Sequence, residues 1–251
     1  MSKIALITGA SRGLGRSTAL QLAHKGGDSI VTYHSNRAEA EEVVRQIVAL
    51  GRKAVALQLD VSRTSTYADF AAAVQSALRS EWGRECFDFL VNNAGTGAST
   101  LLTETTEEEF EQLVNVHLKP VVFLTNALLP LLEDGGKILN VSSGLARFSM
   151  PGKGVYGSLK GAVEVLTRYQ AKELGARGIS VNVIAPGAIE TDFGGGAVRD
   201  NPEVNRMVAA QTALGRAGLP DDIGGAAATL LLGETGWING QRIEISGGMC
   251  L

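Results

Sequence analysis

Cysteine, charge of one sign and long unbroken apolar runs are what this chain of 251 residues has little of. Its two cysteines, Cys86 and Cys250, form no metal-ligand spacing and are too few for a disulfide framework, so no metal is expected and a reducing compartment suits the chain. Basic and acidic residues number 23 and 26, a formal charge of −3, and they are scattered. Without a basic stripe to neutralise a phosphate backbone, nucleic acid is not an expected partner. The longest apolar stretch, residues 121–132, is interrupted by Thr125, Asn126 and Pro130 and is shorter than the roughly 20 residues of a bilayer span, so a membrane is not expected either. Ile4-Ala5-Leu6-Ile7 runs directly into a glycine turn, without the apolar region and cleavage site of a signal peptide, and the expectation is a cytoplasmic protein. There is no repeat, low-complexity tract or linker-like segment.

What is present is alternation. Apolar residues make up 45% of the chain, enough to fill a sheet covered on both faces. Short β-branched or leucine-rich runs at residues 3–8, 29–33, 54–59, 87–91, 137–141, 179–184 and 242–245 alternate with segments of helical period. The helical segments are 14–25, the stretch after Asn36 in which Val43, Val44, Ile47 and Leu50 share a face, 67–79, two long helices over 107–132 and 155–176, and one after Pro220. This pattern predicts an α/β fold: one domain over residues 1–251, a doubly wound parallel sheet of the Rossmann type with about seven strands and helices on both faces. The glycine-rich and polar stretch 193–205 is the loosest, and a substrate lid is expected around 191–212.

Immediately after the first run stands Thr8-Gly9-Ala10-Ser11-Arg12-Gly13-Leu14-Gly15. Glycines allow a tight turn and close approach to a pyrophosphate, and amides at a helix start favour its charge. The fourth run ends in Asn92-Asn93-Ala94-Gly95, where amides can fix the sheet edge beside a cofactor and small residues leave room for it. Asp60, followed by Val61, ends the third run and could accept from an adenine amino group. The second run ends in Tyr33-His34-Ser35-Asn36-Arg37, with no carboxylate to bind a free ribose diol. Arg12 and Arg37 could pair with a 2′-phosphate, so NADP is expected over NAD.

Tyr156 and Lys160 are four positions apart at a helix start and project from one face. A neighbouring ammonium would lower the phenol pKa, allowing Tyr156 to donate or accept a proton. Ser142-Ser143 ends the fifth run, where ligands bind in open sheets, and the Ser143 hydroxyl could bond a substrate oxygen. A nucleophilic serine is disfavoured, because the G-x-S-x-G elbow is absent and none of His24, His34 and His117 lies where a hydrolase base is expected.

Taken together, Thr8-Gly9 through Gly15, Asn92-Asn93-Ala94-Gly95, Ser143, Tyr156 and Lys160 resemble the short-chain dehydrogenase/reductase family over essentially the whole chain, most nearly the branch of 3-oxoacyl-carrier-protein reductases. The resemblance implies hydride transfer between a nicotinamide cofactor and a ketone, aldehyde or secondary alcohol, and a homotetramer. It implies that Asn115 holds a water behind the lysine, that Lys160 also bonds the nicotinamide ribose, and that Pro186, Gly187, Ile189 and Thr191 bind the nicotinamide carboxamide. One departure is Trp237-Ile238-Asn239-Gly240, where the family usually has threonine before the glycine; Trp237 is read as a packing residue. Arg147 and Lys153 could meet an anionic substrate. Two other readings stay open: an NAD-dependent sugar or polyol dehydrogenase, and a dinucleotide-binding sensor without turnover.

Overall fold

In the computed structural model, which describes residues 2–251, the seven runs form strands β1 (Ile4–Ile7), β2 (Asp28–Tyr33), β3 (Ala54–Gln58), β4 (Phe87–Asn92), β5 (Leu132–Val141), β6 (Ser180–Pro186) and β7 (Arg242–Ile245). They make one sheet in the order β3-β2-β1-β4-β5-β6-β7, and every pairing is parallel. Parallel strands need crossovers, and these are helices α1 (Gly13–His24), α2 (Arg37–Ala49), α3 (Tyr67–Ala77), α4 (Glu107–His117), α5 (Lys119–Leu128), α6 (Gly154–Leu174), α7 (Ala197–Asp200), α8 (Pro202–Ala210) and α9 (Pro220–Leu232).

Side-chain alternation in β1 shows how the layers are built. Ala5 and Ile7 join one core with Leu22 of α1, Val43 and Ile47 of α2, and Ala227 and Leu231 of α9. Ile4 and Leu6 point the other way, into a core with Phe70 and Val74 of α3, Leu124 and Leu128 of α5, and Ala171 of α6. Strands buried on both faces must be apolar throughout, and β1 is. Removing a fully buried side chain such as Leu124 would cost roughly 2–5 kcal/mol. Strand order reverses between β1 and β4, which opens a crevice at their carboxyl ends.

Three sequence expectations change in detail. The long helix over 107–132 is divided at Leu118, because Pro120 has no N–H to donate back to the preceding turn. By length and composition alone Glu107–Leu131 passes for a membrane span, but here it is broken at Leu118 and buries Leu124 and Leu128 against the sheet. The stretch 193–205 is mostly helical: Asn201 caps α8 by accepting from the amides of Glu203 and Val204, and Pro202 sits in the first turn. Gly194, Gly195 and Gly196, consecutive at positive φ, and the extended Asn201 keep the irregular backbone expected there. Trp237 does not pack; it is fully exposed, on a loop secured instead by Lys137, whose Nζ donates to the Leu230 and Gly233 carbonyls and to Thr235.

Candidate active site

The crevice begins with the turn after β1. Gly9 and Gly13 have φ of 63° and 56°, conformations that cost other residues strain. Thr8 Oγ1 accepts from the amides of Asn93 and Ala94, and the Asn93 carboxamide donates to the Thr8 and Gly9 carbonyls at 2.8 and 3.1 Å. The Asn93 side chain is thus committed to holding the turn, and what it leaves facing the crevice is Ala94 and Gly95. A Cβ on Gly15 would lie 2.6 Å from Asn93 Nδ2 and 2.8 Å from Ala10 Cα, so α1 can start this close only from glycine. Arg12 stands at the N-cap in extended backbone without a side-chain cap bond, and Ser11 beside it is half-buried. Uncapped amides over Gly13, Leu14 and Gly15, with no Cβ on the flanking glycines, fit a dinucleotide pyrophosphate.

Farther along, the end of β2 carries no acid. Arg37 is engaged by Glu41 Oε1 at 2.6 Å, whereas Arg12 is exposed and in no ion pair among the described residues. Asn36 caps α2 by accepting from the Glu39 amide, and Ser35 beside it is exposed. Asp60 Oδ1 accepts from both the amide and hydroxyl of Ser62, and its Oδ2 lies 3.6 Å from His34 Nε2. The Val61 carbonyl accepts from the Tyr67 hydroxyl. Asp60 is therefore a turn-forming residue whose second oxygen remains toward His34.

At the opposite end, β6 delivers Pro186 and Gly187. A Cβ on Gly187 would come 2.9 Å from Ser246 Cα. Ile189 bridges to Gly218, and the buried Thr191 accepts from the Phe193 amide; its Cβ is 3.8 Å from where a Cβ on Gly13 would stand. The structure thus brings this segment to the glycine turn.

The reacting groups converge from β5 and α6. Ser143 leaves β5 in extended backbone and caps a short turn by accepting from the Leu145 amide. Tyr156 lies in the first turn of α6 and Lys160 one turn on, both buried. The Ser143 hydroxyl lies near enough to the Tyr156 phenol to favour its ionised form. Lys160 Nζ donates to the Val141 carbonyl at 2.8 Å and sits 5.6 Å from the centre of the Tyr156 ring. Gly157, which sequence reasoning passed over, is what permits the contact: a Cβ there would lie 2.7 Å from the Leu145 carbonyl oxygen. Only a glycine flanked by Tyr156 and the serine turn signals this.

Electrostatics differ from the sequence expectation. Burial pushes the Tyr156 phenol up to about 12, partly opposed by the Ser143 hydroxyl, where a lowering by the ammonium was expected. Lys160 is brought down to about 8 by burial. Lys160 directs its Nζ at the Val141 carbonyl.

Asn115 is half-buried in α4, while the ring that meets Tyr156 is that of His117, with centroids 5.2 Å apart and planes perpendicular. Phe193 lies tilted against Tyr156 on another side at 6.0 Å. Thr100, Glu109, Leu113 and Tyr156 line a small cavity of about 10 Å3. Neither cation suggested for an anionic substrate is free. Arg147 pairs with Glu244 and donates to the Met249 and Cys250 carbonyls, and Lys153 donates to the Ala98 carbonyl at 2.6 Å.

Residues 9–250 match a family described as enoyl-(acyl carrier protein) reductase. A hydroxynaphthalene reductase-like protein, Arp2 of Metarhizium brunneum, is 36% identical over 98% of this chain and 94% of its own length. Among solved structures, the promiscuous reductase LugOII, which catalyses keto-reduction at C1 during lugdunomycin biosynthesis, superposes with a TM-score of 0.94 at 37% identity, covering 99% of this chain and 98% of that one. The angucycline C-6 ketoreductase LanV, solved with bound NADP, gives 0.93 at 34% identity over 99% and 95%.

Proposed function

The chain belongs to the short-chain dehydrogenase/reductase family of oxidoreductases, and from that premise we propose that it is an NADP(H)-dependent carbonyl reductase acting on a bulky ring ketone. The observation that carries this reading is the convergence of Tyr156 and the buried Lys160, one turn apart on α6, with Ser143 at the end of β5 beside the phenol. A hydroxyl and a phenol side by side suit the oxygen of a carbonyl, and a phenol protonated near neutral pH has a proton to give. When bound, the reduced nicotinamide supplies the hydride. As the substrate carbon takes it, the Tyr156 proton passes to the carbonyl oxygen, so the products are an alcohol and a phenolate. Ser143 steadies the oxygen as charge develops, and the Lys160 ammonium stabilises the phenolate.

NADP is favoured by the acid-free end of β2 and by Arg12, which no carboxylate neutralises; LanV carries the same cofactor. The substrate class is favoured by hydroxynaphthalene and angucycline ketone chemistry in the relatives' names, and by Phe193 and Phe148 beside the reacting groups. A 3-oxoacyl thioester remains a second candidate. The remaining parts of the proposal are a single cytoplasmic domain, a lid over 191–212 moving at Gly194–Gly196, and a homotetramer. Phe123 of α5 with Val165 and Tyr169 of α6 would be covered in that assembly; all three are exposed here.

The test is NADPH absorbance on mixing the purified protein with hydroxynaphthalene-type ketones, simple ketones, 3-oxoacyl and enoyl thioesters. Consumption with ring ketones above the others supports the reading; consumption with the enoyl thioester alone would replace it with carbon–carbon double-bond reduction. NADH outperforming NADPH would favour the NAD-dependent alternative, and tight cofactor binding without any turnover the sensor.

A further inference from the structure

His117 is one of three histidines and closes α4, 2% exposed, with its ring edge-on to Tyr156. Its Nε2 faces the Thr96 amide at 3.5 Å. With Nε2 facing that amide, we assign the neutral ring the tautomer that carries its proton on Nδ1. Nδ1 is buried and has no protein hydrogen-bond partner among the described residues. A buried N–H without an acceptor destabilises a fold, and a structure that keeps one in its active site calls for a reason. The neighbourhood is shaped for this ring: a Cβ on Gly95 would come 2.9 Å from its Cε1 and 3.2 Å from Nδ1.

The charged and titratable groups facing His117 are Tyr156 and Lys160, both from α6; the loop after β4 offers only Gly95 and the Thr96 amide. Burial first, and the Lys160 charge second, bring the imidazole down to about 3 against a smaller opposing contribution from the Thr96 backbone, and so favour the neutral ring near neutral pH. Residues two apart on a helix do not share a face, so with His117 turned to Tyr156, Asn115 is not.

We propose that His117, as a neutral Nδ1–H imidazole, is the positioning residue of the proton path that restores Tyr156 through Lys160, the part that resemblance assigns to Asn115. This rests on the reductase reading. Each reduction leaves Tyr156 as phenolate. A Lys160 ammonium N–H bond breaks and a phenol O–H bond forms; the resulting amine takes one proton from a water, whose hydroxide is neutralised by solvent. The Nδ1–H donates a hydrogen bond to that water's oxygen and keeps its own proton, since Nε2 is turned to Thr96 and the ring does not become cationic. A lysine lowered to about 8 can give up a proton at little cost.

The experiment compares wild type, His117→Leu and His117→Asn by kcat and KM across pH, by solvent deuterium isotope effect, and by nitrogen-15 spectra of the histidines. His117→Leu is expected to lower kcat by about tenfold or more, raise the isotope effect and shift the pH profile, with ketone KM and NADPH affinity changing less than about twofold. His117→Asn, which still donates, should recover most of the rate. In wild type the His117 signal should be that of the neutral Nδ1–H form from about pH 6 to about pH 8. A cationic ring in that range, an unaltered profile and isotope effect in His117→Leu, or the same changes produced instead by Asn115→Ala would overturn the role. A wild type that consumes no NADPH would overturn the reductase reading and this role with it.

Discussion

The turn after β1 and the space behind Tyr156 are built by the same device, glycines that let backbone or ring come closer than a Cβ would allow, yet they differ in polar pairing. In the turn, Thr8 and Asn93 bond to neighbouring amides and carbonyls, which leaves the free amides of α1 for an anion. Behind Tyr156, among the described residues, the ring of His117 keeps an unpaired nitrogen and the buried Lys160 Nζ donates to the Val141 carbonyl alone. A binding site is rigid where its own groups are satisfied; a proton path keeps groups that are not.

Four expected outcomes bear on that contrast, and the largest comes from Tyr156→Phe. It should reduce turnover by roughly 10²–10⁴-fold while NADPH binding stays near wild type, since the phenol serves chemistry and the turn serves binding. Equal losses in both, from cofactor titration and steady-state rates, would erase the distinction. Next, Gly15→Ala forces a Cβ against Asn93 and Ala10 and should destabilise the fold by about 1–3 kcal/mol, with NADPH affinity falling as well; urea unfolding and cofactor fluorescence would read both. Third, Arg12→Ala should weaken NADPH against NADH by about tenfold, near ~1.4 kcal/mol, with little change in kcat. An unchanged ratio would move phosphate recognition to Arg37 or His34.

The smallest effect concerns pH. His117 has a folded pKa below its ordinary value of 6.5, near 3, so below about pH 6.5 the unfolded chain binds a proton that the folded chain refuses. Stability should therefore fall as pH drops from 6.5 toward 3, and His117→Asn should make that fall shallower by up to one proton. Melting temperature against pH measures it; identical slopes would mean that the ring is not buried neutral.

Strand positions, sheet type and the family were readable in the chain because β1, β4 and β6 are buried throughout and mostly apolar, and the chain runs on from them into glycine or amide residues. Ser143, Tyr156 and Lys160 were readable from strand-end placement and a spacing of one helical turn. What sequence did not yield depends on which way a side chain turns. Asn115 and His117 are two residues apart, and which of them faces Tyr156 depends on how α4 is rotated, which the break at Pro120 helps to set. Arg147 looked like a substrate cation because its partner Glu244 is nearly a hundred residues away in sequence. Asn201-Pro202-Glu203 was a readable helix start within 193–205, obscured by the glycines before it.

The central claim is that the Tyr156 phenol gives its proton to a carbonyl oxygen, and rapid mixing of the NADPH-loaded protein with a hydroxynaphthalene-type ketone tests it most directly. The account predicts a fast fall in NADPH absorbance in wild type, slowed in deuterated water and almost absent in Tyr156→Phe with the cofactor still bound. A Tyr156→Phe variant that consumes NADPH at the wild-type rate would contradict it.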